Sequence, residues 1–276
     1  MTGQPLSAWE RVKLARHPER PHALDYLREL TRDFVELHGD RSFGDDRALI
    51  GGLASFDGKT VVVLGHQKGS DTKENIARNF GMARPEGYRK AERLMRHAEK
   101  FGFPVISFID TPGAEPGIGS EERGQATAIA ESLLTMADLA VPSVALVIGE
   151  GGSGGALAIG VADRLLMLEN AIYAVASPEA CAAILWKDAT KAPEAAATMR
   201  ITAGELAAFG LVDEVIPEPV PAHESPRGTI KAAGQAIARH LNDLLASFPP
   251  GDPAAAARLI DARYERFRRI GAWTGN

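Results

Sequence analysis

A glycine-rich segment, residues 149–158, is the part of this chain whose composition most strongly indicates a chemical role. It follows the apolar run 144–148, which predicts a buried strand, and it precedes a short apolar segment that can begin a helix. Backbone N–H groups at a helix start lack an internal partner, and glycine lets a ligand approach the backbone. The segment therefore predicts a site that holds negative charge.

One interpretation of this segment is a dinucleotide-binding turn. Gly149, Gly151 and Gly154 have the G-x-G-x-x-G spacing, and Glu169 follows at a distance suited to a ribose. However, Gly160 interrupts the next helix early, whereas this kind of unit needs a longer crossover helix. The spacing alone therefore leaves the interpretation open.

A second interpretation is the nucleophile turn of a serine hydrolase, because Ser153 is the centre of a G-x-S-x-G motif. Such an enzyme needs an acid and then a histidine later in the chain. The candidates in the required order are Asp188, Asp213, His223 and His240. The third interpretation is an oxyanion hole made of backbone N–H groups, in which Ser153 is only a small turn residue.

Bulk composition excludes several classes of protein. The net charge of −5 argues against nucleic acid as a bulk electrostatic partner. The single cysteine, Cys181, can form neither a disulfide framework nor a cysteine-based metal site within this chain. The beginning of the chain does not resemble a signal peptide, and no apolar run approaches the 18 residues of a membrane span. We therefore expect a cytoplasmic protein that does not bind membranes.

Secondary-structure signals predict an α/β protein. Residues 22–37 have apolar residues at helical spacing, and Asp57-Gly58 between two apolar runs predicts a β-hairpin. The strand 104–109 leads into a second glycine turn, after which Ser120 can cap a helix over 121–137. Short strands after residue 163 favour a coil of ββα units.

Two regions with basic side chains give weaker indications of function. Lys68 lies in a polar loop, residues 66–75, directly after a predicted strand, so it could meet an anionic ligand. The predicted terminal helix, residues 254–270, is rich in arginine. We expect those arginines to face solvent or another subunit.

Several separated motifs resemble the alpha subunit of bacterial acetyl-CoA carboxylase carboxyltransferase, a member of the crotonase-like superfamily. The two glycine turns, residues 108–117 and 149–158, are similar to the signature turns of biotin-dependent carboxyltransferases. The remaining motifs are ARHPERP at 15–21, GHQKG at 65–69, NFGM at 79–82, PEGYRK at 85–90, EERGQ at 121–125, SPE at 177–179 and ILWK at 184–187. The segment 201–216 resembles the late helix-turn-strand of crotonase-like proteins. Glu115 stands where the family turn carries an aromatic residue.

The resemblance implies an α/β, crotonase-like spiral of ββα units with peripheral N- and C-terminal helices. The polar composition of residues 1–21 predicts a docking arm or a short helix. The carboxyltransferase domain that the resemblance implies follows over residues 22–248, with a C-terminal helical extension at residues 249–276. The resemblance also implies an activity, the transfer of a carboxyl group from carboxybiotin to acetyl-CoA. The product is malonyl-CoA, in the first committed step of fatty acid synthesis.

The resemblance also assigns residues to that reaction. Gly154 and Gly155 would donate backbone N–H groups to the developing oxyanion. The carboxybiotin side would be bound by Gly113, Ala114, Gly151, Gly152 and Lys68. Two alternatives to a carboxyltransferase subunit remain open. One is a non-catalytic scaffold that holds the carrier protein, and the other is a serine hydrolase that uses Ser153.

The implied partners are separate proteins. A beta subunit of similar fold would complete an α2β2 assembly and bring the zinc site, while no metal is expected on this chain. Biotin would arrive on a carrier protein, so no cofactor is expected to be bound covalently here. Biotin carboxylase would complete the ATP-dependent complex.

Overall fold

The computed structural model describes residues 6–271. Its helices are α1 Ala8–Ala15, α2 Ala23–Leu30, α3 Thr72–Ala77, α4 Pro85–Phe101, α5 Ile118–Glu122, α6 Gln125–Ala137, α7 Ser153–Leu157, α8 Pro178–Trp186, α9 Ala192–Met199, α10 Ala203–Ala208, α11 Pro226–Ser247 and α12 Pro253–Arg268. Its strands are β1 Thr31–Glu36, β2 Leu49–Phe56, β3 Lys59–His66, β4 Val105–Thr111, β5 Ser143–Gly152, β6 Arg164–Leu168, β7 Ile172–Ala174 and β8 Glu214–Ile216. The first five residues of the predicted docking arm and the last five of the predicted C-terminal extension lie outside the described residues.

All eight strands join one mixed sheet in the order β1-β2-β3-β4-β5-β6-β8, and β7 also pairs with β5. The β1-β2 and β2-β3 pairs are antiparallel, and every later pair is parallel. The predicted hairpin is confirmed, since Asp57 and Gly58 both have the positive φ angles, 48° and 73°, that its tight turn requires. Parallel strands place their carboxyl ends at one edge, where ligands bind in this class of sheet.

Helices cover both faces of the sheet. Gly51 of β2 lies under Leu94 of α4, and Gly65 of β3 lies under Ala23 of α2. Gly51 pairs with Leu64, the neighbour of Gly65, so the two glycines point to opposite faces. The strands between these layers are largely apolar and buried. None of the helices within residues 6–271 combines the length and apolar composition needed to cross a bilayer.

Strand β5 changes its neighbour along its length. The pairs that flank the irregularity with β4 are Ile109 with Val147 and Thr111 with Gly151. Between them, three residues of β5, 148–150, stand opposite the single residue Asp110, which makes a bulge. On its other side, β5 pairs with β6 up to Val147 and with β7 from Glu150 onward. The bulge therefore redirects the end of the strand that carries the glycines.

The predicted helix over residues 22–37 is wrong beyond Leu30. Thr31–Glu36 forms strand β1, which pairs with β2, and Asp33 has a positive φ of 54° that no α-helix accommodates. The apolar spacing was compatible with a helix, but pairing with β2 satisfies backbone groups that an open sheet edge would expose.

The predicted helix over residues 121–137 is two helices, α5 and α6. Gly124, with a φ of 80°, separates them and stands at the N-terminus of α6. Ser120 lies inside α5 instead of capping a helix, and its hydroxyl donates to the Glu115 carboxylate. Glu115 also accepts from the Gly117 N–H at 3.0 Å, so this acidic residue closes the turn that leads into α5.

The expectation that the arginines of the terminal helix are solvated or face a subunit is wrong for Arg263. Its side chain is 1 % exposed and forms a two-pronged ion pair with Asp163, at 2.9 and 3.0 Å. Its remaining nitrogen donates to the carbonyls of Ala137 and Leu139. Arg263 therefore attaches α12 to the end of α6 and to the loop before β6.

We expect Arg263→Ala to destabilise the protein by about 3–5 kcal/mol, because Asp163 would remain buried without its cation. Guanidinium unfolding of the purified chain measures this loss. Arg258→Ala on the same helix is the control, because Arg258 is exposed, and it should change the free energy of unfolding by less than about 0.5 kcal/mol. Equal effects of the two substitutions would contradict a structural role for Arg263.

Candidate active site

The glycine-rich segment is half strand and half helix. Strand β5 continues through Gly152, four residues beyond the predicted strand end, and α7 begins at Ser153. The chain turns at Ser153, whose φ is 54°. A residue other than glycine is strained in this left-handed conformation, and such strain is common at functional sites.

The two glycine turns contact each other through their backbones. A Cβ atom on Gly155 would lie 2.7 Å from the Ala114 nitrogen and 2.8 Å from the Gly113 carbonyl carbon. A Cβ atom on Gly152 would overlap the carbonyl oxygen of Pro112. The structure therefore brings the two turns into direct contact.

The four residues predicted around the oxyanion lie in this contact. Gly154 and Gly155 are in the first turn of α7, where amides have no helical acceptor. Gly154 is half-buried, and a Cβ atom there would meet only Ile129, at 3.6 Å. Gly113 has a φ of 154° and open space beside its Cα atom, and Ala114 follows it. A ligand can therefore reach the backbone from the side of Gly113 and Gly154.

Gly151 and Gly152, predicted on the carboxybiotin side, are both buried within β5. The ring of Tyr173 covers Gly151, and the turn at Pro112 covers Gly152. Their positions allow the turns to pack closely and leave little of either residue open to a ligand.

Lys68 lies beside the second glycine turn. Its ammonium donates to Oδ1 of Asp110 at 2.6 Å, and its side chain is 15 % exposed. It also lines a cavity of about 250 Å³, together with Arg16, His22, Phe80 and Pro112. A larger cavity of about 450 Å³ lies beside α12, away from the glycine turns, where Arg263 is paired with Asp163.

Asp110 is a site residue that the sequence did not identify. Its carboxylate is buried and accepts from Lys68, from the backbone N–H of Glu150 at 3.0 Å and from Nδ1 of His22 at 3.0 Å. Burial by itself would raise the pKa of Asp110, but Lys68 and His22 hold it well below its usual value. Its position directly after a buried strand was the available signal.

Two buried polar side chains stand behind the glycine turn. His66 is fully buried, and neither ring nitrogen has a hydrogen-bond partner among residues 6–271, although the Gly155 backbone faces the ring and favours its charged form slightly. Burial lowers the pKa of His66 to about 4, and the nearby Lys68 acts in the same direction while Asp110 opposes it. Burial also raises the pKa of Tyr88, whose hydroxyl lies 2.8 Å from the position of a Cβ atom on Gly155.

The residues required by the hydrolase interpretation are engaged elsewhere. His240 bonds Glu214 at 2.8 Å, His223 stacks on His17, and Asp213 accepts from Arg266. Within residues 6–271, the Ser153 hydroxyl has no hydrogen bond to a histidine. Asp188 instead caps a short 3-10 helix. The structure therefore supplies no catalytic triad around Ser153.

The dinucleotide interpretation also lacks its structural context. Helix α7 has only five residues, and Glu169 accepts from the backbone N–H of Glu218 at 3.0 Å and from Arg11 at 3.4 Å. In the part of the chain from 6 to 271, no three His, Cys, Asp or Glu side chains lie close enough together to hold a metal ion.

Solved structures of known proteins share this fold. Transcarboxylase 12S has a TM-score of 0.65 and 21 % identity, over 81 % of this chain and 42 % of that chain. The beta subunit of geranyl-CoA carboxylase from P. aeruginosa has a TM-score of 0.63 and 16 % identity, over 94 % and 46 % of the two chains. A malonate decarboxylase hetero-dimer from Pseudomonas has a TM-score of 0.61 and 21 % identity, over 80 % and 90 %. The predicted crotonase-like α/β fold is confirmed.

Sequence comparison is more specific. The family model described as acetyl co-enzyme A carboxylase carboxyltransferase-like matches residues 2–271, and the chain belongs to this family. The acetyl-coenzyme A carboxylase carboxyl transferase subunit alpha of Aquifex aeolicus is 57 % identical over 269 residues, which are 97 % of this chain and 81 % of the relative. The protein of the same name from Heliobacterium modesticaldum is 57 % identical over 267 residues, 96 % and 78 % of the two chains. The predicted family is therefore confirmed.

We expect Gly155→Ala to destabilise the chain by about 1–3 kcal/mol, because the new methyl group would collide with the backbone of the neighbouring turn. Gly154→Ala is the matched control. Its methyl group has room, and replacing a helical glycine with alanine adds up to about 1 kcal/mol of stability. Urea unfolding of both variants measures the difference, and a Gly155→Ala variant as stable as Gly154→Ala would disprove the packing argument.

We expect His66 to make the protein less stable in acid. In the unfolded chain this histidine takes up a proton near its ordinary pKa of 6.5, whereas in the folded protein it does so only near 4. Lowering the pH from 7 to 5 should therefore favour the unfolded state by about 2 kcal/mol through this residue. The measurement is urea unfolding of the chain and of His66→Gln at both pH values. The variant should lose about 2 kcal/mol less, and an identical loss would refute the assignment.

Proposed function

We propose that this chain is a carboxyltransferase subunit that moves the carboxyl group of carboxybiotin to the methyl carbon of acetyl-CoA. Membership of the acetyl-CoA carboxylase carboxyltransferase-like family supports this function. The observation that carries the proposal is the contact of the two glycine turns, which leaves the backbone of Gly113 and Gly154 open on one side. Such a site suits a reaction that needs positioned N–H donors.

The reaction breaks the bond between the biotin nitrogen and the carboxyl carbon. A new carbon–carbon bond forms between that carboxyl carbon and the acetyl methyl carbon, and the methyl proton passes to the biotin nitrogen. Negative charge develops on the ureido oxygen of biotin and on the thioester oxygen of acetyl-CoA. N–H donors that are fixed before the reaction stabilise such oxyanions without reorganisation.

The side chains of this site fit a supporting role. Asp110 is ionised but already accepts three hydrogen bonds, so it is a poor base. The raised pKa of Tyr88 and the lowered pKa of His66 keep both groups uncharged at neutral pH. Gly154 and Gly155 would then donate to the ureido oxygen on the carboxybiotin side, while Gly113 and Ala114 shape the turn beside it. Lys68 would add positive charge to the same side.

The proposal includes partners. A beta subunit would provide the zinc site and most of the acetyl-CoA pocket, so that the active centre forms between two chains in an α2β2 assembly. A carrier protein would present the biotin, and biotin carboxylase would recharge it in the cytoplasm. Solved proteins of this fold include a malonate decarboxylase hetero-dimer and a hetero-tetramer, and their association is compatible with a two-chain site.

Deleting one donor tests the function. Proline at position 154 removes the N–H group and is tolerated in the first turn of a helix, whereas Gly154→Ala keeps the N–H group. Reconstituted with a beta subunit and given malonyl-CoA and free biotin, Gly154→Pro should carboxylate biotin about 10²–10³-fold more slowly, and Gly154→Ala, which keeps the N–H group but adds a methyl group on the open side, should lose less activity than Gly154→Pro. Complex formation is monitored by gel filtration.

The outcomes separate the proposal from its alternatives. A well-formed wild-type complex that carboxylates no biotin would refute carboxyl transfer. Gly154→Pro with wild-type turnover would instead indicate a non-catalytic scaffold that lends no donor. Ser153→Ala should keep most of the activity, because a turn residue supplies no nucleophile, and complete loss in an intact complex would favour the hydrolase.

A further inference from the structure

The bulge at residues 148–150 leaves backbone N–H and C=O groups without hydrogen-bond partners in the β4-β5 ladder. Where three residues face one, regular ladder hydrogen bonds are lost, and buried backbone groups without partners are costly. Two side chains supply the missing bonds. Oδ1 of Asp110 accepts from the N–H of Glu150 at 3.0 Å, and Nε of Arg20 donates to the carbonyl of Ile148 at 2.6 Å.

Both of these side chains are themselves fixed by buried charge. The Arg20 guanidinium also forms a two-pronged pair with Glu218, at 2.6 and 3.0 Å, and the two side chains are 1 % and 0 % exposed. Asp110 is held by Lys68 and His22. A planar guanidinium that bonds a carboxylate on one side and a carbonyl on the other has little freedom to move.

The segment between α1 and α2 surrounds the bulge with three hydrogen-bonding side chains. Arg16 donates to Glu150 at 2.6 and 2.9 Å and to Glu179 at 2.6 Å, Arg20 reaches the Ile148 carbonyl, and His22 reaches Asp110. The residues predicted to form a docking arm for other proteins therefore contact the end of β5 in their own chain.

We propose that Asp110 and Arg20 are positioning residues for carboxyl transfer. Together they hold the bulge in the one geometry in which the backbone N–H groups of Gly154 and Gly155 face the developing oxyanion. Neither Asp110 nor Arg20 touches a substrate. This inference rests on the proposed function. Only two residues separate the bulge from Ser153, so a change in its shape displaces the donors directly.

The expected size of the effect follows from the role of the donors. A displacement of about 1 Å in a positioned catalytic group can cost about 10²-fold in rate. A positioning residue should therefore change turnover more than it changes substrate binding. A residue that only stabilises the fold should lower the amount of active complex and leave the turnover of each assembled complex unchanged.

Two substitutions in the complete complex test the assignment. Asp110→Asn keeps the shape of the side chain but replaces one acceptor oxygen with a donor, and Arg20→Lys keeps the charge near Glu218 but cannot also reach the Ile148 carbonyl. With the beta subunit, malonyl-CoA and free biotin, we expect each to lower kcat about 10²-fold and to change either KM by less than about threefold.

The matched control is Asp163→Asn, at the other end of β5. Asp163 is also a buried carboxylate that accepts a backbone N–H of β5, from Ser143 at 2.8 Å, and an arginine, Arg263. The side-chain partners of Asp163 within residues 6–271 are Ser143 and Arg263, which lie outside the glycine turn, so kcat per assembled complex should match wild type even though stability falls.

Several results would overturn the inference. Wild-type kcat in Asp110→Asn would do so, and so would equal losses of kcat in Asp110→Asn and Asp163→Asn. If Asp110→Asn does not assemble, Arg20→Lys decides in its place by the same criteria. Loss of activity in Gly154→Pro together with normal kcat in both positioning variants would refute this inference alone, while an inactive wild-type complex would refute the proposed function.

Discussion

The buried carboxylate of Asp110 is the interaction on which the geometry of this molecule depends. An ionised group without water is stable only when its charge and its lone pairs are satisfied, and removing one partner leaves an uncompensated buried charge. Its three donors come from three places: Lys68 after β3, His22 before α2 and the Glu150 amide in β5. The carboxylate thus fixes the relative positions of chain segments that are distant in sequence.

Three titratable groups near the glycine turns have pKa values shifted away from neutral pH: Asp110, His66 and Tyr88. Asp110 stays ionised because of its cations, while burial keeps His66 neutral and Tyr88 protonated. Backbone amides do not titrate at all. The backbone dipoles at the glycine turns are therefore fixed before the reaction, which is the condition for preorganised stabilisation of an oxyanion.

Local signals made much of the fold predictable. Asp57-Gly58 specified the hairpin, and Ser177 with Pro178 specified the start of α8, because each acts on neighbouring backbone. Strand β1 was not predictable from residues 22–37 alone, since its formation depends on the edge of β2. Arg263 likewise resembled its exposed neighbours in the sequence and is distinguished only by Asp163, 100 residues away.

The candidate site was likewise predictable from the sequence only in part. Its glycines were evident from composition, because few other roles explain five glycines in seven residues. The roles of Asp110 and His66 were not, because they arise from segments that approach only in the folded chain. Glu115 departs from the family turn, yet its bonds to Gly117 and Ser120 show how an acidic residue can close that turn.

The pair between Arg20 and Glu218 has a consequence for the order of assembly. The two residues are 198 positions apart, so a chain emerging from the ribosome makes Arg20 early and must wait for its partner. Contacts of such separation form late, because the intervening chain must first be ordered. The ion pair that fixes Arg20 against the Ile148 carbonyl can be completed only after residue 218 has been made. A truncated or half-made copy would therefore lack a competent glycine turn even though every glycine is present.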